Sequence, residues 1–141
     1  MTETEFRVKY SKLIEFYQYI EGHLKYICGH LLADEEKDWY ERLGELGSDS
    51  FGMLIKRVQK LQNDKQIIFF DEKELEDLNA LRISRNYWVH QCFGGTDMTM
   101  IPVMFQNSEL RRSEHGTRLI ADLSAAVKWD EKLAEKMRGK Q

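Results

Sequence analysis

A single proline, two cysteines and no long apolar run set the first limits on this chain. Proline interrupts helices, so its near absence, together with many Leu, Glu and Lys, leans the composition to helix. Cys28 and Cys92 fall on segments that read as separate helices. They predict two reduced thiols rather than a disulfide framework. The longest apolar runs, such as "IIFF", are far short of the roughly 20 residues that a membrane span requires. The amino terminus "MTETEFRVKY" is neither basic nor followed by a signal-peptide core, which predicts a cytoplasmic chain with no membrane partner. An excess of positive charge is also missing: 21 Lys and Arg stand against 24 Asp and Glu, a net −3. That balance argues against a general, high-affinity nucleic-acid binder with a strongly basic face, though not against a local arginine patch. No repeat, low-complexity tract or linker divides the chain, so residues 1–141 read as one domain.

What the chain does have is helical periodicity. Phe6, Tyr10, Leu13, Tyr17, Ile20, Leu24, Ile27 and Leu31 recur at alternating steps of four and three, which predicts a long amphipathic first helix. Gly22 inside it conflicts mildly with helix and is expected to mark a close helix contact. A short helix over "DWYERLGEL" should end at Gly47. Ser48, Asp49 or Ser50 then caps "FGMLIKRVQKL", in which Phe51, Leu54, Ile55, Val58 and Leu61 share a face; the stop is expected near Asn63. "QIIFF" has no partner run of similar character and reads as an apolar connector packed on the bundle. Asp71, with Glu74 three residues on, has the form of a capping box opening a helix from Glu72 to Phe93, closed by Gly94 and Gly95. "TDMTMIPVMF" fits a short hairpin or an ordered loop equally. A last helix covers much of Arg118 to Met137. The sum is an all-α helical bundle of four main helices plus one short helix.

One residue disturbs the pattern. On the third main helix, Arg85 stands in the middle of a stripe made by Leu78, Leu81, Trp88, Val89 and Cys92, with Arg82 near its edge. A charge on an apolar face must be paired, solvated or used. The bland solution is an ion pair with a carboxylate on a neighbouring helix, Glu21 for instance. The functional one starts from Asn86 and His90, which are four apart and share a face, with the long side chain of Arg85 able to curl toward them. Guanidinium, amide and imidazole in one groove form a phosphate-handling set.

The sequence "RNYWVH" resembles the motif of the HEPN superfamily of helical-bundle domains, many of which are ribonucleases. The resemblance extends in outline from Tyr10 to Leu133, with "SFGMLIKRVQKL" in the place of the second core helix. It implies a metal-independent endoribonuclease acting on RNA as a homodimer, whose two motif helices meet across a two-fold axis. Arg85 and His90 would then be the catalytic residues and Asn86 an orienting one. Many relatives are toxins or defence effectors, so an antitoxin or regulatory protein is an expected partner. Some members are modified on a tyrosine two residues beyond the histidine; Cys92 stands there in this chain, and that regulation does not carry over. The alternative is a catalytically silent HEPN-like module for protein interaction or nucleotide binding.

No cofactor is implied. His23, Cys28 and His30 do not share a helical face, so no metal site is expected there. The aromatic residues at helical spacing, Trp88 among them, are assigned to packing. Arg111 and Arg112 are equally compatible with an RNA cleft and with solvated surface.

Overall fold

The computed structural model describes residues 1–32, 41, 44, 46–91 and 108–139. The architecture is all-α, with four main helices: α1 (Glu3–Tyr26), α2 (Phe51–Asp64), α3 (Glu72–Asn86) and α4 (Ser108–Gly139). No strand occurs among the described residues. Two helices finish in a wider π-helical turn, α1 over Ile27–Leu32 and α3 over Tyr87–Gln91. Of the expected short helix, Glu41, Gly44 and Leu46 are helical and the rest lies outside the described residues, as do the stop at Gly94–Gly95 and the segment "TDMTMIPVMF".

The first helix buries Phe6, Leu13, Tyr17, Ile20, Leu24 and Ile27, the stripe that its periodicity predicts. It lies along α4, whose Leu119, Ala126, Trp129 and Leu133 complete the seam. The α2 face of Phe51, Leu54, Ile55 and Val58 closes the core from the other side. Gly22 departs from expectation. It is exposed, and a Cβ built there meets nothing within 4 Å among the described residues, so none of the described helices approaches it.

Capping chemistry sets the helix starts. Ser50 caps α2 by accepting from the Met53 N–H, while its neighbour Asp49 is buried and pairs with Arg57 at 2.8 Å. At α3 the capping box is complete: Glu74 N–H donates to Asp71 Oδ1, and Asp71 N–H donates to Glu74 Oε1. The stop of α2 falls at Asp64, one residue past the expected Asn63. The N–H of Ile67 returns to Gln62 O and that of Gln66 to Asn63 O, with Gln66 at φ 55°. This is the two-bond C-terminal motif usually built on glycine.

The connector after α2 packs by its second half. Ile68 is 81% exposed, whereas Phe69 and Phe70 are buried. Gln62 holds them there: its amide donates to Phe70 O and accepts from Phe70 N–H, so a buried polar side chain is satisfied by one backbone residue. Lys136 of α4 donates to Phe69 O at 2.8 Å and lies beside Glu74, which also pairs with Lys132.

Glu74 therefore joins α3 to α4. Burial pushes its carboxyl up, but the Asp71 backbone N–H and the two lysines outweigh this and hold it below the usual glutamate range. A lowered folded-state pKa gives stability that is complete above the ordinary glutamate value and is lost as pH falls through the lowered one. Glu74→Gln keeps the capping box and removes the charge. It is expected to cost about 1–2 kcal/mol near neutral pH and to flatten the loss of stability on acidification, read from urea unfolding at about pH 7 and about pH 4. Gly22→Ala is expected to stabilise the chain by about 0.5–1 kcal/mol, since nothing opposes the added methyl and the unfolded chain loses freedom. A thermal melt shifted downward would show instead that the position needs glycine.

Candidate functional site

The site is built on the end of α3, where the α-helix gives way to its π turn. Arg85 and Asn86 are the last two residues of the α-helical part, and His90 stands in the π turn. Such turns carry i→i+5 hydrogen bonds and recur at functional sites. The wider winding advances each residue by less than the 100° of an α-helix. The angular gap between Arg85 and His90, about 140° on a regular helix, is thereby reduced.

Arg85 is half-buried and paired. One guanidinium nitrogen, Nη2, lies 3.3 Å from Glu21 Oε1 of α1, with the two side chains 24% and 20% exposed. The other, Nη1, donates to Asn86 Oδ1 at 3.2 Å. Arg85 and Asn86 are thus brought together, and the bland partner named from sequence is in place. His90 is exposed, and its side chain makes no hydrogen bond or ion pair among the described residues. Of the expected stripe, Leu78, Leu81 and Trp88 are buried, while Val89 lies at its edge, 40% exposed. Cys92 lies outside the described residues, and so do the side chains of Arg111 and Arg112.

Beside this set lies a cluster that the sequence reading missed. Trp88 is fully buried, and its indole N–H donates to Asp122 of α4 at 2.6 Å. Its carbonyl accepts from the Tyr10 hydroxyl of α1. The Tyr87 hydroxyl lies 2.8 Å from His115 Nε2, and the Arg118 guanidinium sits 3.7 Å from the centre of the Tyr87 ring. Arg118 also pairs with Asp122. The signal was available: His115, Arg118 and Asp122 follow steps of three and four, which is one helical face.

Tyr17 is buried against the same cluster, and its hydroxyl has no hydrogen-bond partner among the described residues. Burial, with the Asp122 charge adding to it, pushes the phenol above the ordinary tyrosine value; Arg118 and Arg85 oppose the shift. Tyr17, Leu81, Ser84, Asp122 and Trp129 line a cleft of about 280 Å³. Asp77, which also lines it, pairs with Lys73. The charged residues on this cleft are carboxylates, so it suits no phosphate.

Two further titratable groups are engaged structurally. His23 lies 2.8 Å from Asp130, tying α1 to α4. Burial pushes the Cys28 thiol up to about 12, which leaves it without nucleophilic character. Among the described residues no group of three His, Cys, Asp or Glu side chains could hold a metal ion, and no helix is long and apolar enough to cross a membrane.

The Arg85–Glu21 pair is expected to couple by about 1 kcal/mol in a double-mutant cycle of Glu21→Gln and Arg85→Met, as partly shielded pairs do. A coupling indistinguishable from zero would mean that the contact does not hold Arg85. Comparison with protein-family models, with curated proteins and with solved structures finds no match to this chain.

Proposed function

We propose that the chain is a metal-independent endoribonuclease of the HEPN type, working as a homodimer on RNA. The observation that supports this reading best is the pairing of a half-buried Arg85 with Asn86, one π turn before an exposed His90 that has no partner among the described residues. Cleavage without a metal requires removal of the ribose 2′-OH proton, stabilisation of the charge that gathers on the phosphorane oxygens, and protonation of the leaving 5′-oxygen. An imidazole exchanges protons near neutrality and serves as base or acid. A guanidinium has five N–H donors; Glu21 and Asn86 engage two nitrogens, and the remaining donors stay available to phosphate oxygens. Glu21 then keeps Arg85 oriented until substrate arrives. Two copies of the motif helix across a two-fold axis would supply two arginines and two histidines to one phosphate. A role as toxin or defence effector, held in check by a partner protein, belongs to the same proposal.

A second reading, a catalytically silent HEPN-like module, is favoured by the carboxylate already on Arg85. A buried or half-buried charge with a partner is a stable structural device and needs no substrate.

The deciding measurement is cleavage of several RNA pools in excess EDTA by the wild-type chain and by His90→Ala, with the oligomeric state of both determined. On the ribonuclease reading, cleavage survives the chelator, leaves 2′,3′-cyclic phosphate ends and falls by about 10²–10⁴-fold in the variant. Equal and negligible cleavage by both folded proteins would move the assignment to the silent module.

A further inference from the structure

The clefts on this bundle differ in sign. A groove of about 370 Å³ between α2 and α3 is lined on its polar side by Lys56, Gln59, Asn79 and Arg82, with Gly52 and Ile55 also on its wall. Its two charged residues are cations, in a chain whose net charge is −3. Neither cation has a carboxylate partner among the described residues. The Arg82 guanidinium is positioned nonetheless: its Nε donates to Asn79 Oδ1 at 2.9 Å, which leaves the two terminal nitrogens for another acceptor. Its stem runs over Gly52, where an added Cβ would stand 3.2 Å from Arg82 Cδ. Glycine at that point lets α2 approach the arginine closely.

Arg82 is also a helix neighbour of the candidate site. It precedes Arg85 by three residues and Asn86 by four, so the three share one side of α3. His90 stands eight positions beyond Arg82, a rise of at most about 12 Å at the α-helical step and less through the π turn. A line of cation, cation, amide and imidazole on one helix, opening at one end into a groove with two amides and no carboxylate, is suited to an extended polyanion.

We infer that this groove is the track for the phosphodiester backbone of single-stranded RNA, with Arg82 and Lys56 gripping phosphates upstream or downstream of the one at Arg85. The inference rests on the ribonuclease reading for its substrate, while its geometry is separate from the Arg85–His90 set. Gln59 and Asn79 contribute neutral donors to the same oxygens. Such contacts set affinity and register and carry no base preference.

The test is binding of a fluorescein-labelled oligouridylate of about 12 nucleotides, followed by anisotropy over a range of salt. The full chain carries His90→Ala so that no cleavage intervenes. Arg82→Gln and Lys56→Gln are each expected to weaken binding about five- to tenfold and to lower the salt slope by about 0.7. Lys128→Gln, on the exposed face of α4, should leave both unchanged. Lys56 is exposed, so its variant keeps the core intact if Arg82→Gln lowers the melting temperature. Unchanged affinity in both groove variants, or no binding by the parent, overturns the inference. Wild-type cleavage with unaltered binding in the variants would leave the ribonuclease reading standing and remove the groove. Weakened binding in both variants, in a chain that never cleaves, would keep the groove and remove the nuclease.

Discussion

The indole N–H of Trp88 is buried completely and has to find an acceptor, and the arrangement of three helices follows from the one it finds. Asp122 supplies that acceptor from α4, while the Trp88 carbonyl takes the Tyr10 hydroxyl from α1. Tyr10, Tyr87 and His115 meet the same indole edge-on, the arrangement that aromatic quadrupoles favour. One residue, through its carbonyl and its indole, thus ties α1 and α4 to the π turn at the end of α3. Where α3 ends fixes where Arg85, Asn86 and His90 stand.

The consequence for the site is a division of labour along one short stretch. Trp88 faces inward and is locked, Arg85 lies between core and solvent with its charge balanced by Glu21, and His90 faces outward. A guanidinium held against a single carboxylate loses little freedom when a phosphate joins it, because its orientation is already set. The cost of burying that charge is met by Glu21 whether or not the chain is an enzyme. Function therefore has to be argued from the exposed imidazole and the free donors, not from the ion pair.

The two clefts differ in the charge of their lining residues. The cleft near Tyr17 presents Asp77 and Asp122, and the groove of α2 and α3 presents Lys56 and Arg82. A net negative chain steers polyanions poorly over its whole surface, so any RNA contact has to come from such a local field.

The amino-acid sequence by itself named the four main helices, because periodicity and caps are local. It did not name the start of α4 at Ser108, ten residues before the expected Arg118, nor the π turns that end α1 and α3. The steps of four and three in α1 named its buried stripe, and Asp71 with Glu74 named the start of α3. It also placed Arg85 on an apolar stripe and offered Glu21 as its partner. Tertiary structure decided what local rules do not carry. Gly22 meets open space, since whether a glycine is approached depends on the path of another helix. Gln66 takes the left-handed position because the motif that closes α2 fixes its backbone, against the residue's own preference. His115, Arg118 and Asp122 join the Trp88 cluster only when α4 crosses α3, a contact between residues some 30 positions apart that no local pattern specifies.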